Sequence, residues 1–108
     1  MDTTTIGKDI IDSVLAYRKI IVDSGISVDK IILFGSYAKG NARAESDIDI
    51  AVISPQFGVD EMDERQALSK KRRFVDLRIE AYPLSPDEYE HGFSHIVSEI
   101  RKYGIQVA

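Results

Sequence analysis

Two aspartates, Asp47 and Asp49, stand with one residue between them at the start of an apolar run, and ten residues separate Gly35-Ser36 from the first. In an extended segment, residues two apart point to the same face. Asp47 and Asp49 therefore present paired carboxylates, while Ile48 and Ile50 face the other way, towards a core. Like charges placed this way repel unless one takes up a proton or a cation sits between them. A hard divalent ion resolves the conflict, since Mg2+ is held by a few carboxylates together with substrate phosphates. Upstream, Gly35 permits close backbone approach and Ser36 offers a hydroxyl at a possible helix start. Turn amides and a helix start suit a phosphate. Lys39 and Arg43 are available to neutralise phosphate charge, with Gly40 allowing the connecting turn.

A third carboxylate would complete such a site. Asp76 sits near the beginning of the later stretch FVDLRIEAY, where Phe74, Asp76, Arg78 and Glu80 alternate with Val75, Leu77, Ile79 and Ala81. That is strand periodicity with one polar face. If this strand lies beside the one starting at Asp47, Asp76 meets the aspartate pair. It would then accept the proton of an attacking hydroxyl or bridge a metal. Two metals about 3.5–4 Å apart can clamp the attacking and leaving oxygens of an in-line phosphoryl displacement. Glu80 shares the face about 13 Å further along at strand rise, and spacing alone leaves the choice between the two acids open. Arg78, between the two acids, is open to pairing with them or to a substrate role.

The elements that must position these groups follow from periodicity. Ile10, Val14, Tyr17 and Ile21 form one row of a helix, with Asp9 as its cap and Gly25 ending it so that Ile26 packs back. Ile31–Phe34 and Asp47–Ile53 read as buried strands. Residues 59–73 carry only a weak stripe of Val59, Met62, Gln66 and Ser69, consistent with a surface helix or a loop. Ser85, Pro86 and Glu88 form a capping box, with Leu84 and Tyr89 as the staple. One helix is expected from there to Gly104, its stripe running Tyr89, Phe93, Ile96, Ile100 and Tyr103. Ile105–Val107 could add an edge strand. The order predicts a single α/β (α+β) layer domain over residues 1–108.

Composition narrows the function classes. The 108 residues are 44% apolar and 30% charged, with a formal net charge of −4, which fits a globular chain. Charge is even along the chain, so there is no broad attraction to nucleic acid or anionic membrane. The basic run Lys70-Lys71-Arg72-Arg73 reads as a solvated helix end, a patch touching nucleic acid or an acidic partner surface being the alternative. With no cysteine, thiolate metal sites and disulfides are excluded. The N-terminal residues lack a basic and an apolar leader region, and no segment approaches a membrane span. A soluble, cytoplasmic protein is expected. His91 and His95 have zinc-like helical spacing but no evident third ligand.

Gly35-Ser36, ten residues and Asp47-Ile48-Asp49, framed by IILF and IAVI, resemble the signature of the polymerase-beta-like nucleotidyltransferase superfamily. The stretch RFVDLRI resembles the strand carrying the family's third aspartate. The small size is similar to that of minimal nucleotidyltransferases (MNT), antitoxin partners of small helical HEPN toxins. The resemblance spans roughly residues 9–82. It implies a mixed sheet flanked by helices. Gly35 and Ser36 would hold the triphosphate of ATP, Asp47 and Asp49 would ligate Mg2+, and Asp76 would complete the triad. It further implies transfer of AMP to a hydroxyl, a tyrosine of the HEPN-type toxin, within a homo- or hetero-oligomer. Larger relatives add a helical domain to hold the acceptor, so a chain of this length implies a partner that supplies those walls. The other class of reading is a noncatalytic subunit that neutralises or positions a helical partner by binding alone.

Overall fold

The computed structural model describes residues 6–108; the reading of the first five lies outside the described residues. Helix α1 (Lys8–Asp23) leads to strand β1 (Lys30–Phe34), and a single helical turn α2 (Ser36–Lys39) leads to β2 (Ile48–Ile53). Helix α3 (Glu61–Lys71) runs into a 3-10 turn at Arg72–Phe74, before β3 (Ile79–Leu84). Helices α4 (Pro86–His91) and α5 (His95–Tyr103) and the short strand β4 (Ile105–Gln106) complete the chain. The strands form one mixed sheet in the order β3-β2-β1-β4. β1 is antiparallel to β2 and β4, and β2 is parallel to β3.

Both faces of the sheet are covered, which explains why β1 and β2 read as continuous apolar runs. Ile31, Leu33, Ile48, Ile50, Val52 and Ile79 pack with Ile10, Val14, Tyr17 and Ile21 of α1. Ile32, Phe34, Ala51, Ile53 and Leu84 pack on the opposite face with Val97 and Ile100 of α5. The predicted row of α1 is the buried one. Gly25 takes a φ of 103° at its end, and the Ile26 amide returns to Ile21 O while that of Gly25 meets Val22 O. Gly7, not Asp9, occupies the cap position; Asp9 lies in the first turn.

Three expectations need correction. The third strand begins at Ile79 rather than Phe74. The amides of Val75 and Asp76 both bond Arg72 O, and Asp76 Oδ1 accepts from the Arg78 amide, an Asx turn that overrides the alternation. The final helix is two helices. Gly92 is extended, and Ser94 starts α5 by accepting from the Val97 amide. Phe93, expected in the apolar stripe, is 97% exposed between them. His91 and His95 therefore lie on different helices.

Helix α3 is a helix, but its stripe differs from the expected one. Asp60 caps it by accepting from the Asp63 amide, and Glu64 accepts from the amides of Gly58, Val59 and Asp60. Val59 and Met62 are exposed, while Leu68 is fully buried. The helix lies along the outer edge of β3. Arg78 O and Leu84 O accept from β2-side amides, so in a parallel ladder the even residues of β3 bond to β2 and Ile79, Ala81 and Pro83 turn their backbone outward. Arg72 of the helix end donates to Ile79 O on that outer side.

Tyr17 ties α1 to this helix. The Arg72 amide bonds Ser69 O as α3 tightens at its end, and Leu68 O accepts instead from the Tyr17 hydroxyl at 2.6 Å. Burial keeps the phenol protonated far above the ordinary tyrosine range. Tyr17→Phe would leave the Leu68 carbonyl without this donor in the core. It is expected to lower unfolding free energy by about 1–2 kcal/mol, read as a lower urea midpoint at unchanged m-value.

Candidate active site

The site forms at the end of the sheet where β1 exits and β2 and β3 enter. Gly35 follows β1 with φ 74° and ψ −153°, a backbone conformation that L side chains rarely adopt. A Cβ there would run into the Asp49 carboxylate. The glycine thus serves two needs, the turn into α2 and the seat of Asp49 against the main chain. Ser36 opens the turn of α2, and the buried side chain of Ala38 fixes its orientation. Gly40, at φ 80°, closes it by returning its amide to Ser36 O.

Asp47 lies one residue ahead of β2 and is exposed, whereas Asp49 is half-buried on the α5 side of the sheet. The buried Ile48 between them holds both in place, its amide donating to Arg78 O at 2.8 Å. The parallel register then sets Glu80 directly beside Asp49. Burial first, then the negative charges of Asp47 and Glu80, push the Asp49 carboxyl up to about 6; Arg65 and Lys39 act in the opposite sense. Two arginines from the edge helix reach Glu80: Arg72 Nη1 lies 2.7 Å from Oε1, and Arg65 Nη2 lies 3.8 Å from Oε2. Arg65 also lies over the ring of Tyr82, 4.2 Å from its centroid.

Asp76 is not in this group. It stands in the turn before β3, where its carboxylate takes the Nε and Nη2 donors of Arg78 at 3.1 and 2.7 Å. Those bonds hold its carboxyl below the ordinary aspartate range. The remaining Nη1 of Arg78 donates to the Tyr37 hydroxyl and to Ala44 O. The pair therefore fastens the loop before Asp47 to the turn before β3. The physical reason for the difference is register. Once the strand starts at Ile79, the acid opposite Asp49 is Glu80, four residues beyond Asp76.

Lys39 is close enough to act on Asp49, but its ammonium meets Glu99 of α5 at 3.0 Å and lies over Tyr103. Arg43 is joined to the loop through its backbone, which accepts from Tyr37 and donates to Ser46 Oγ; its side chain is exposed. Residue spacing does not single out Arg65 or Arg72. The only sequence signal for Arg72 was its place in a basic run that looked uniformly solvated.

A family model described as "Nucleotidyltransferase domain" matches residues 16–105. The chain belongs to this nucleotidyltransferase family. A relative from Methanocaldococcus jannaschii, named "Putative protein adenylyltransferase MJ0141", is 30% identical over 81 residues, covering 74% of this chain and 79% of its own length. Among solved structures, a toxin–antitoxin complex with AMP-PNP superposes at a TM-score of 0.62 and 23% identity, over 91% of this chain and 72% of that one. A complex of a tri-AMPylated Shewanella oneidensis HEPN toxin with its MNT antitoxin superposes at 0.51 and 25% identity, over 89% and 71%. The small mixed sheet flanked by helices is the polymerase-beta-like nucleotidyltransferase fold, as the signature in residues 35–49 implied. No helix of the described residues is long and apolar enough to cross a membrane.

Among the described residues, no three His, Cys, Asp or Glu side chains converge closely enough to hold a metal ion unaided. The side chains that would hold a cation here are two hard carboxylates, Asp47 and Asp49, with Glu80 beside Asp49. Their repulsion favours a cation, and such a set fits Mg2+, which draws its other ligands from water and substrate phosphate. The burial of Asp49, with the repulsion added to it, has a sign in stability. An aspartate that ionises near 3.8 when unfolded and near 6 in the fold favours folding fully only below about pH 3.8. That contribution is lost as pH rises through 6. Asp49→Asn should therefore stabilise the metal-free protein at pH 7.5 by about 1–2 kcal/mol, discounted for partial exposure. The gain should shrink towards zero by pH 4. Thermal unfolding in chelator at the two pH values checks this, and an unchanged Tm at pH 7.5 would count against the raised carboxyl.

Proposed function

We propose that this nucleotidyltransferase transfers AMP from ATP to a hydroxyl of a HEPN-type partner protein, a tyrosine being the acceptor, and so acts as that toxin's antitoxin. The observation that carries the reading is the seat of Asp49 against the Gly35 turn, with Asp47 and Glu80 on the same side. That arrangement joins a phosphate-holding turn to a carboxylate cluster at one end of the sheet. The AMPylated toxin and the AMP-PNP complex among the structural neighbours support the nucleotide and the partner.

In this reading Gly35 and Ser36 hold the triphosphate at the start of α2. Lys39 neutralises it at the price of its bond to Glu99, and Arg43 stands at the mouth of the loop. Asp47 and Asp49 would hold Mg2+, which when bound supplies charge neutralisation at the reacting phosphate. Glu80 takes the third position that the sequence pattern assigned to Asp76. Among the described residues its Oε2 accepts no hydrogen bond, and Arg65 Nη2 pairs with it at 3.8 Å. This oxygen accepts the proton as the acceptor oxygen attacks the α-phosphorus and the bond to pyrophosphate breaks. Asp76 keeps a positioning role through Arg78.

The test is transfer of label from α-labelled ATP to a co-purified HEPN-type partner in Mg2+. Asp47→Asn, Asp49→Asn and Glu80→Gln should each reduce labelling at least 100-fold, while Asp76→Asn should retain transfer in proportion to its folded fraction. Loss in Asp76→Asn with retention in Glu80→Gln would restore Asp76 as the third acid. Undiminished labelling in Asp49→Asn would remove the enzymatic reading. Equal neutralisation of the toxin in cells by that variant would favour binding alone.

A further inference from the structure

The basic run Lys70–Arg73 is not a uniform patch. Lys70 is exposed, and Arg73 lies over the ring of Phe74, which is itself exposed. Lys71 and Arg72 are both half-buried, and Arg72 reaches across the edge of the sheet. Its Nη1 bonds two groups at once, Ile79 O at 3.1 Å and Glu80 Oε1 at 2.7 Å. The first bond fixes the guanidinium to the backbone of the strand that carries Glu80. The second takes one carboxylate oxygen and leaves the other, Oε2, paired among the described residues with the more distant Arg65.

The helix end is built for this reach. After α3 the chain tightens into the 3-10 turn at Arg72–Phe74. Arg65 and Arg72 are seven residues apart, two helical turns, and so project along one side of α3. Leu68, between them, anchors the helix to the α1 core. The two cations thus face the one acidic residue of β3 that pairs with Asp49.

We propose that Arg72 is a positioning residue. It fixes the rotamer of Glu80 by occupying Oε1, so that Oε2 is presented towards Asp47 and Asp49 for the reaction, with Arg65 as a second, looser counter-charge. Partners that orient a ligating carboxylate in this way are commonly worth 10–100-fold in metal affinity or activity. An ordinary surface ion pair would contribute little and act through stability alone. The inference rests on the nucleotidyltransferase reading and on Glu80 as its third acid.

A double-mutant cycle of wild type, Arg72→Gln, Glu80→Gln and the double variant separates these roles. The readouts are transfer kinetics, Mn2+ affinity in the presence of a non-hydrolysable ATP analogue, and the urea midpoint. Arg72→Gln should lower kcat about 10–100-fold with KM for ATP changed less than about 3-fold, and weaken Mn2+ about 10-fold. In the Glu80→Gln background it should change neither quantity further. Arg72→Lys keeps a donor for Oε1 and should recover part of the loss; it also serves if Arg72→Gln does not fold. Equal effects of Arg72→Gln in both backgrounds, or a loss tracking only the urea midpoint, would overturn the positioning role. Absence of transfer in wild type would defeat the nucleotidyltransferase reading. In that case the Mn2+ cycle alone still decides the clamp: non-additive losses support it and additive losses reject it.

Discussion

Parallel pairing of β2 with β3 sets Glu80 against Asp49, and Asp47 adds a further negative charge that acts on Asp49 at the same end of the sheet. The surroundings can be understood as responses to that crowding. Gly35 gives up a side chain so that Asp49 can sit against the main chain. Lys39 approaches from α2, and Arg65 and Arg72 approach from α3. Asp49 remains raised all the same, by burial first and then by Asp47 and Glu80. A site poised in this way favours the arrival of a cation and a polyphosphate together, because each relieves a charge that the other would find repulsive.

The elements that the sequence foretold best are those whose environment is simple. β1 and β2 are covered on both faces, so their apolar runs have one structural meaning. The row Ile10–Val14–Tyr17–Ile21 reads directly as the contact face of α1. Helix α3 was obscure because it packs at a sheet edge, where one buried residue, Leu68, suffices. The C-terminal helix was overextended because the stripe through Phe93 continued in phase. Local hydrogen bonding broke it, with Ser94 starting a new helix and Arg101 closing the first by donating to the carbonyls of Tyr89, Glu90 and Gly92.

At the site, Gly35, Asp47 and Asp49 were legible because their relation is local: a turn, a fixed interval and a two-residue alternation. The third acid depends on register between strands far apart in sequence. Asp76 and Glu80 sit on one alternating face, and a shift in where the strand begins exchanges them. That starting point is set by the bonds of Arg72 O and Asp76 Oδ1, a turn chemistry masked by the regular pattern around it. Arg65 and Arg72 were illegible for a related reason. Nothing in a solvated-looking helix says which cations lean over a sheet edge.

The outward side of β3 carries one more consequence. A free strand edge is a template for chain-to-chain pairing. Here Pro83 has no amide to offer, Ile79 N is taken by Asp76 O, and Ile79 O is taken by Arg72. Only Ala81 keeps both outward backbone groups, beneath the flank of α3. The helix that carries charge to the reaction end of the sheet is thus also its guard against polymerisation. Evolutionary change in α3 must satisfy solubility and chemistry with the same few side chains.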